Sequence, residues 1–210
     1  MVTRFALVVS ALVLLIGACG EGSPSSSPTD SIGDLVDGEP FSVSATDKAY
    51  YQSLEEMYKA SEIVIVGEVV DFEPGEFVEP PGVHPDESGF LQMGVITVRV
   101  DEILRGKLDG DTVTVERESF MNEDDELRPL IFEGFGAERV GNDVLWFLEQ
   151  RPGRPDEVYE MVSFDGLLYI EDGVITTPRA GGDTLAHETS GRTAGDVIAE
   201  LRALATETQP

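Results

Sequence analysis

The sequence predicts a mainly β domain: a small closed barrel of about five or six strands, with a short helix before the strands and a second helix after them. Three patterns carry this prediction. One central stretch alternates apolar with polar residues, two other stretches are apolar at nearly every position, and apolar residues recur at helical spacing near both ends.

The central stretch has the two-residue period of strands with one solvated face. β-Branched apolar residues occupy every second position of residues 96–101, and the alternation returns in residues 112–116, which puts Glu116 on the polar face. Asp109 and Gly110 between them form a strong hairpin signal. We therefore expect two antiparallel strands here.

The two apolar stretches predict strands that are buried on both faces. Residues 62–72 are β-branched almost throughout and contain Gly67, where we expect a bend or a bulge. Residues 143–149 are also apolar on both faces and carry Trp146, and residues 157–176 add further short strands.

The two helices are predicted from their capping residues. Ser53 is followed three positions later by Glu56, the spacing of a capping box. Thr193 and Asp196 repeat that spacing before an apolar face that extends over residues 194–205.

A first strand bent at a glycine and a linking segment between the third and fourth strands are typical of a barrel of the OB type. The quoted stretches "ASEIVIVGEVVDF", "ITVRVDEILRGKLDGDTVTVE", "VGNDVLWFLEQ" and "FDGLLYIEDGVI" resemble, in order and spacing, a family of bacterial extracytoplasmic domains. That family is similar to the OB-like barrel of tissue inhibitors of metalloproteinases and netrin modules. The resemblance covers residues 53–175 and implies the fold alone.

The first 18 residues have the layout of a secretory signal peptide, with one positive charge, an apolar run and small residues before Cys19. Ile16 to Cys19 resembles the lipobox of bacterial lipoproteins, in which the cysteine carries lipid. We therefore expect Cys19 to be lipidated and to hold the protein on the extracytoplasmic face of the cell membrane. In the animal inhibitors an N-terminal cysteine binds the protease zinc, but a lipidated Cys19 without a partner cysteine excludes that mechanism here.

The remaining domain boundaries follow from composition. Residues 19–48 are rich in Ser, Pro and Gly and are predicted to be a disordered tether. Residues 49–180 are predicted to form the OB-like barrel, and residues 181–210 a linker and an amphipathic helix.

The charge balance excludes one class of partner. The chain has 14 Lys and Arg residues against 41 Asp and Glu residues, a formal net charge of −27. Nucleic-acid binding requires Lys and Arg to neutralise phosphates, so we expect no nucleic-acid partner.

Residues 73–90 and 119–141 are predicted to be irregular and acidic. The predicted functional surface is residues 77–91 and 121–135, because long loops in compact domains are often functional. We expect them to meet near one mouth of the barrel and to present aromatic anchors for a protein partner. The predicted anchors are Phe77, Phe90, Phe132 and Phe135. An alternative is that Phe132 and Phe135 belong to the core and plug the end of the barrel.

The sequence therefore favours a non-catalytic binding or inhibitory module for an envelope or extracellular protein. No nucleophile, metal or cofactor motif is recognisable, and no cofactor is expected. The alternative is a metal-dependent envelope hydrolase that uses His84, His187 and loop carboxylates such as Asp86. A third interpretation is a structural envelope component without a discrete ligand. The acidic run at residues 123–126 would at most bind a divalent cation weakly.

Overall fold

The structure is a computed structural model that describes residues 41–43, 51–78, 90–123, 126–132, 139–155, 157–177 and 184–207. The prediction of a mainly β fold with a short N-terminal helix and a C-terminal helix is confirmed. Within the described ranges, no helix is long and apolar enough to cross a membrane.

The elements, in chain order, begin with a short strand, a helix and four longer strands. They are β1 (Phe41–Val43), α1 (Leu54–Ala60), β2 (Ile63–Val78), β3 (Phe90–Arg105), β4 (Thr112–Glu123) and β5 (Glu126–Phe132). The second half contains four shorter strands, a 3₁₀ turn and two helices. They are β6 (Asp143–Gln150), β7 (Val158–Met161), the 3₁₀ turn Phe164–Gly166, β8 (Leu167–Glu171), β9 (Val174–Thr176), α2 (Thr184–Thr189) and α3 (Ala194–Glu207).

Five strands close into a ring. β2 pairs with β3, β3 with β4, β2 with β6 and β6 with β7, each antiparallel, and the parallel pairing of β7 with β4 completes the circuit. The first three strands of the ring are therefore consecutive, and the third is parallel to the fifth. This strand order is that of the OB type, as the sequence predicted.

The other strands extend the sheet outside the ring. β5 continues from β4, and β1 adds to β5 in parallel. On the other side β8 pairs with β6, and β9 pairs with β8.

The interior of the ring is an apolar core. Along β6, Val144, Trp146 and Leu148 are buried in this core, whereas Leu145 and Phe147 are buried in a second core on the outer surface. The prediction that residues 143–149 are buried on both faces is therefore confirmed. The interior core also includes Ile63, Ile65, Val69, Phe72, Ile96, Val98, Val113, Val115, Phe120, Leu130, Met161 and Leu167.

The second core lies between the outer surface of the ring and the helices. All three helices contribute to it, and their buried residues include Leu54, Met57, Tyr58, Leu185, Val197 and Leu201. Both predicted caps form: the Ser53 hydroxyl accepts from the Glu56 amide at 3.2 Å, and the Thr193 hydroxyl accepts from the Asp196 amide at 3.1 Å. The helices cover the apolar outer sides of β2 and β6, which would otherwise face water.

The Leu-Arg-Gly segment at the end of β3 has a structural explanation. Leu104 is buried in the outer core, and its carbonyl accepts a hydrogen bond of 3.0 Å from the Tyr58 hydroxyl. The Arg105 guanidinium lies 5.1 Å from the centre of the Tyr58 ring and donates to the Ser61 carbonyl at 2.6 Å. Gly106 then takes a positive φ of 81°, which favours glycine. These contacts attach α1 to the end of β3.

Gly67 lies at the bulge that the sequence predicted. The register between β2 and β3 shifts between Val66 and Gly67. A Cβ at Gly67 would clash with the backbone carbonyl oxygen of Arg99, so only glycine allows the two strands to approach this closely.

Regular structure extends further than the sequence indicated. Residues 73–90 were expected to be irregular, yet β2 continues to Val78 despite Pro74, and β3 begins at Phe90. Residues 119–141 were also expected to be irregular, but they contain the end of β4 and all of β5. Pairing with a neighbouring strand supplies the hydrogen bonds that the local sequence pattern did not predict.

Two further elements differ from the predicted boundaries. β1 lies inside the range expected to be a disordered tether, and its parallel pairing with β5 orders it. α2 lies in the range expected to be a linker, where Leu185 is buried in the outer core. The signal peptide, Cys19 and residues 19–40 of the tether lie outside the described residues and stay predictions.

We predict that Gly67→Ala lowers the free energy of unfolding by about 1–3 kcal/mol, because the added methyl group must displace the backbone of β3. Urea unfolding followed by circular dichroism measures the change. Gly195→Ala in α3 is the matched control. The added Cβ there meets only the Thr193 hydroxyl at 4.0 Å, so this variant should be at least as stable as the parent chain. Equal stability of the Gly67→Ala variant would contradict the close packing at the bulge.

Candidate binding pocket at the seam of the ring

A pocket of about 90 Å³ opens at the seam of the ring, which is the junction between β4 and β7. Its walls combine charged side chains with methionine and phenylalanine. The lining residues are Met93, Glu116, Arg117, Glu118, Arg151, Glu160, Met161, Ser163 and Phe164. Most binding pockets are likewise largely apolar with a few placed polar groups.

The pocket exists because the closure of the ring is short. β4 and β7 pair at only two positions, Thr114 with Val158 and Val115 with Tyr159. The next residue of each strand, Glu116 and Glu160, already lines the pocket. β4 also has a bulge at Ser119, where its register against β3 shifts, and among the described residues β4 does not pair with β7 beyond Val115 and Tyr159.

Glu116 is the buried charge of the site. It is 4% exposed, although its position on the alternating strand predicted a solvated side chain. The carboxylate accepts two hydrogen bonds from Arg154, one from Nε at 2.9 Å and one from a terminal nitrogen. Arg151 Nε lies 3.4 Å from the same carboxylate. A buried carboxylate requires such partners, because an unpaired buried charge is very unfavourable.

Both arginines belong to the Arg-Pro-Gly-Arg-Pro segment at residues 151–155, between β6 and β7. Gly153 has a φ of 78°, and the Arg154 amide donates to the Arg151 carbonyl at 3.2 Å, so the segment forms a tight turn. The turn directs both guanidinium groups toward β4. Sequence reasoning missed this segment. The available signal was the presence of two arginines within five residues of a chain that has only 14 Lys and Arg residues.

Arg154 also connects the pocket to the end of β2. Its guanidinium donates to the Glu76 carboxylate at 2.8 Å. The hydrogen bond to Glu116 raises the pKa of Arg154 above its usual value, and the nearby charge of Glu76 contributes to the rise. Arg154 is therefore charged at any accessible pH, and two carboxylates neutralise it.

Glu118 has a different environment from Glu116. It is half-buried in the pocket wall, and within the described part of the chain its carboxylate makes no ion pair or hydrogen bond. Met93 and Met161, which also line the pocket, are 3% and 7% exposed. The pocket therefore offers one carboxylate without a partner beside apolar walls.

Of the predicted anchors, Phe77 is the one whose side chain the structure describes. It is 57% exposed, the most exposed large apolar side chain of the described residues. Gly75, two residues earlier, accepts a hydrogen bond from Gln92 at 2.8 Å, and Glu76 binds Arg154. The end of β2 that carries Phe77 therefore lies beside the pocket.

The other predicted site residues remain predictions. Phe90 begins β3 and Phe132 ends β5, but their side chains are outside the described set, as is all of Phe135. His187 was expected in a loop and instead lies in α2, whereas His84 falls outside the described residues.

The described residues contain no group of three or more metal-ligating side chains close enough to hold an ion. In the acidic run at residues 123–126, Glu123 pairs with Glu126 in the β4–β5 hairpin. Asp124 and Asp125 lie outside the described residues, so the expectation of a weak cation site there stays untested.

A second charged cluster lies on the outer side of the ring. Burial raises the pKa of the Asp143 carboxyl, and the Glu68 and Asp101 carboxylates raise it further, while Arg99 lowers it. Arg99 forms ion pairs with both Glu68 and Asp101. One guanidinium group, that of Arg99, therefore faces three carboxylates. It does not fully offset the repulsion among their negative charges.

The chain matches no protein-family model and no curated protein sequence.

We predict that Arg154→Ala lowers the free energy of unfolding by about 1–3 kcal/mol, because the buried Glu116 loses its two-point partner and keeps only Arg151. Chemical unfolding at neutral pH measures the change. Arg202→Ala is the matched control, since Arg202 makes the same two-point contact with Glu102 on the exposed surface. The control should unfold like the parent chain. Equal effects of the two substitutions would contradict a stabilising role of the buried pair.

Proposed function

We propose that the protein is a lipoprotein anchored through Cys19 on the extracytoplasmic face of the cell membrane, where it acts as a non-catalytic binding or inhibitory module for an envelope or extracellular protein. The observation that carries this proposal is the exposed Phe77 beside the pocket at the seam of the ring.

Phe77 and the pocket have complementary properties for protein recognition. Large aromatic side chains that lose contact with water on binding contribute most of the affinity at many interfaces. Glu73 and Glu76, on the same end of β2, are also exposed, so Phe77 lies in a polar stretch of this strand. An apolar anchor within a polar rim beside a concave pocket is a typical interface composition.

The lipid anchor and the tether support the same proposal. A single acyl chain binds membranes weakly, whereas the several chains of a lipoprotein anchor bind stably. A flexible segment of about twenty residues has a root-mean-square span of roughly 25 Å, which would hold the ring away from the lipid headgroups. A partner at the membrane surface could then reach both Phe77 and the pocket.

The anchor is tested by Cys19→Ser. We expect the parent chain to sediment with membranes and the variant to appear in the medium or the soluble extracytoplasmic fraction, because a hydroxyl cannot take the thioether-linked lipid. Fractionation with immunoblotting measures the distribution. A variant that still sediments with membranes would contradict lipid anchoring at this residue.

Partner binding is tested by crosslinking on intact cells followed by mass spectrometry. We expect the full chain to enrich a specific extracytoplasmic protein, and Phe77→Ser to reduce that enrichment roughly tenfold or more, as for an anchor residue at an interface. Ile103→Ser is the matched control, because Ile103 is 39% exposed and lies near the opposite end of β3 from the pocket.

The control variant should retain the enrichment. Absence of any enriched protein, or equal loss in both variants, would overturn the proposed binding surface. An enriched protein that is chemically altered by the parent chain but not by a variant lacking both His84 and His187 would instead indicate the hydrolase alternative.

A further inference from the structure

The ion pairs around the pocket at the seam indicate which charge a ligand of this pocket would carry. Arg154 is neutralised by Glu116 and Glu76, and Arg151 lies beside the same Glu116 carboxylate. Arg117 also has an interaction partner. The guanidinium groups of Arg151 and Arg154 are therefore engaged, and an anion that approached either of them would have to displace a carboxylate that is already bound.

Unlike Arg151 and Arg154, Glu118 has no oppositely charged partner among the described residues. Its carboxylate is half-buried. Partial burial weakens the interaction of a carboxylate with water, so a cation that reaches it gains more than it would at an open surface.

The apolar walls of the pocket fit the stem of a long cationic side chain. Met93, Met161 and Phe164 all line the same space as Glu118. Lysine and arginine carry apolar stems that pack on such surfaces while their charged ends reach a carboxylate. Phenylalanine is a favourable neighbour for a cation, and the flexible methionine side chain adapts its packing to methylene groups.

The charge of the whole chain acts in the same direction. With a net charge of −27, the protein attracts basic surfaces and repels acidic ones over distances of about a Debye length. From these observations we infer that the pocket between β4 and β7 receives a lysine or arginine side chain of the partner, with its charged end at Glu118 and its stem against Met93 and Met161. This inference rests on the proposed binding function and adds the chemistry of the partner: a basic protein surface.

The test uses the full chain with ¹³C-labelled methionine methyl groups and two small probes. The chain has five methionines, so few resonances need assignment. The probes are n-butylammonium, which reproduces the end of a lysine side chain, and butyrate, which has a similar apolar stem and the opposite charge. Both are titrated at constant ionic strength, and Met57, fully buried in the outer core, is the internal reference.

We expect n-butylammonium to shift the Met93 and Met161 resonances saturably, with Met57 unchanged and with butyrate producing no saturable shift. Glu118→Gln should weaken n-butylammonium binding about tenfold, since it replaces a charge-assisted contact with a neutral one. Glu171→Gln, which makes the same charge change at an exposed position on β8, should bind like the parent chain.

Three results would overturn the inference: no saturable shift with n-butylammonium in the parent chain, a stronger response to butyrate, or n-butylammonium binding that Glu118→Gln leaves unchanged. The titration of the parent chain is decisive even if the Glu118 variant does not fold.

The crosslinking experiment separates this inference from the proposed function. A captured partner that depends on Phe77, without n-butylammonium binding, removes the inference alone. Binding of n-butylammonium without any captured partner removes the proposed function and leaves only a cation-binding pocket.

Discussion

The parallel pairing of β4 with β7 is the contact on which the rest of the structure depends. It closes five strands into a ring and so shields the interior core, which includes the fully buried Trp146. Only two residue pairs form this closure, far fewer than between β2 and β3. Arg151 and Arg154, in the turn that leads into β7, add a second attachment to β4 through the buried Glu116. Backbone hydrogen bonds and a buried ion cluster therefore both hold β7 and its preceding turn against β4.

A second constraint is that the ring has apolar residues on both of its surfaces. β2 and β6 place alternate side chains in the interior and in the outer core, so an uncovered ring would expose a large apolar area. The three helices cover this area. Tyr58 and Arg105 fix the position of α1 by a hydrogen bond, a backbone contact and a cation–π interaction. The helices thus complete the fold, and the functional surface proposed for the protein lies elsewhere, at the seam.

The pocket is a consequence of incomplete closure. Because β4 and β7 separate after two residue pairs, the polar face of β4 and the start of the 3₁₀ turn enclose a space that neither strand fills. Arg154 joins the exposed end of β2, which carries Phe77, to the pocket through its contacts with Glu76 and Glu116. In a strongly acidic chain, this is a place where an apolar anchor and a cationic side chain of one partner could bind together.

Local residue patterns were sufficient to predict the class of the fold, the strands buried on both faces, the bulge at Gly67 and the two capped helices, because each depends on the period or conformation of a few neighbouring residues. They were insufficient for β1 and β5, which are ordered by pairing with distant strands. Glu116 shows the same limit within the site. Alternation along β4 indicates which face a side chain occupies, but the turn at residues 151–155 buries it, and that turn meets β4 only in the folded chain. The burial of a charge and the shape of a pocket depend on contacts between segments that are far apart in the sequence. A local residue pattern therefore cannot predict them.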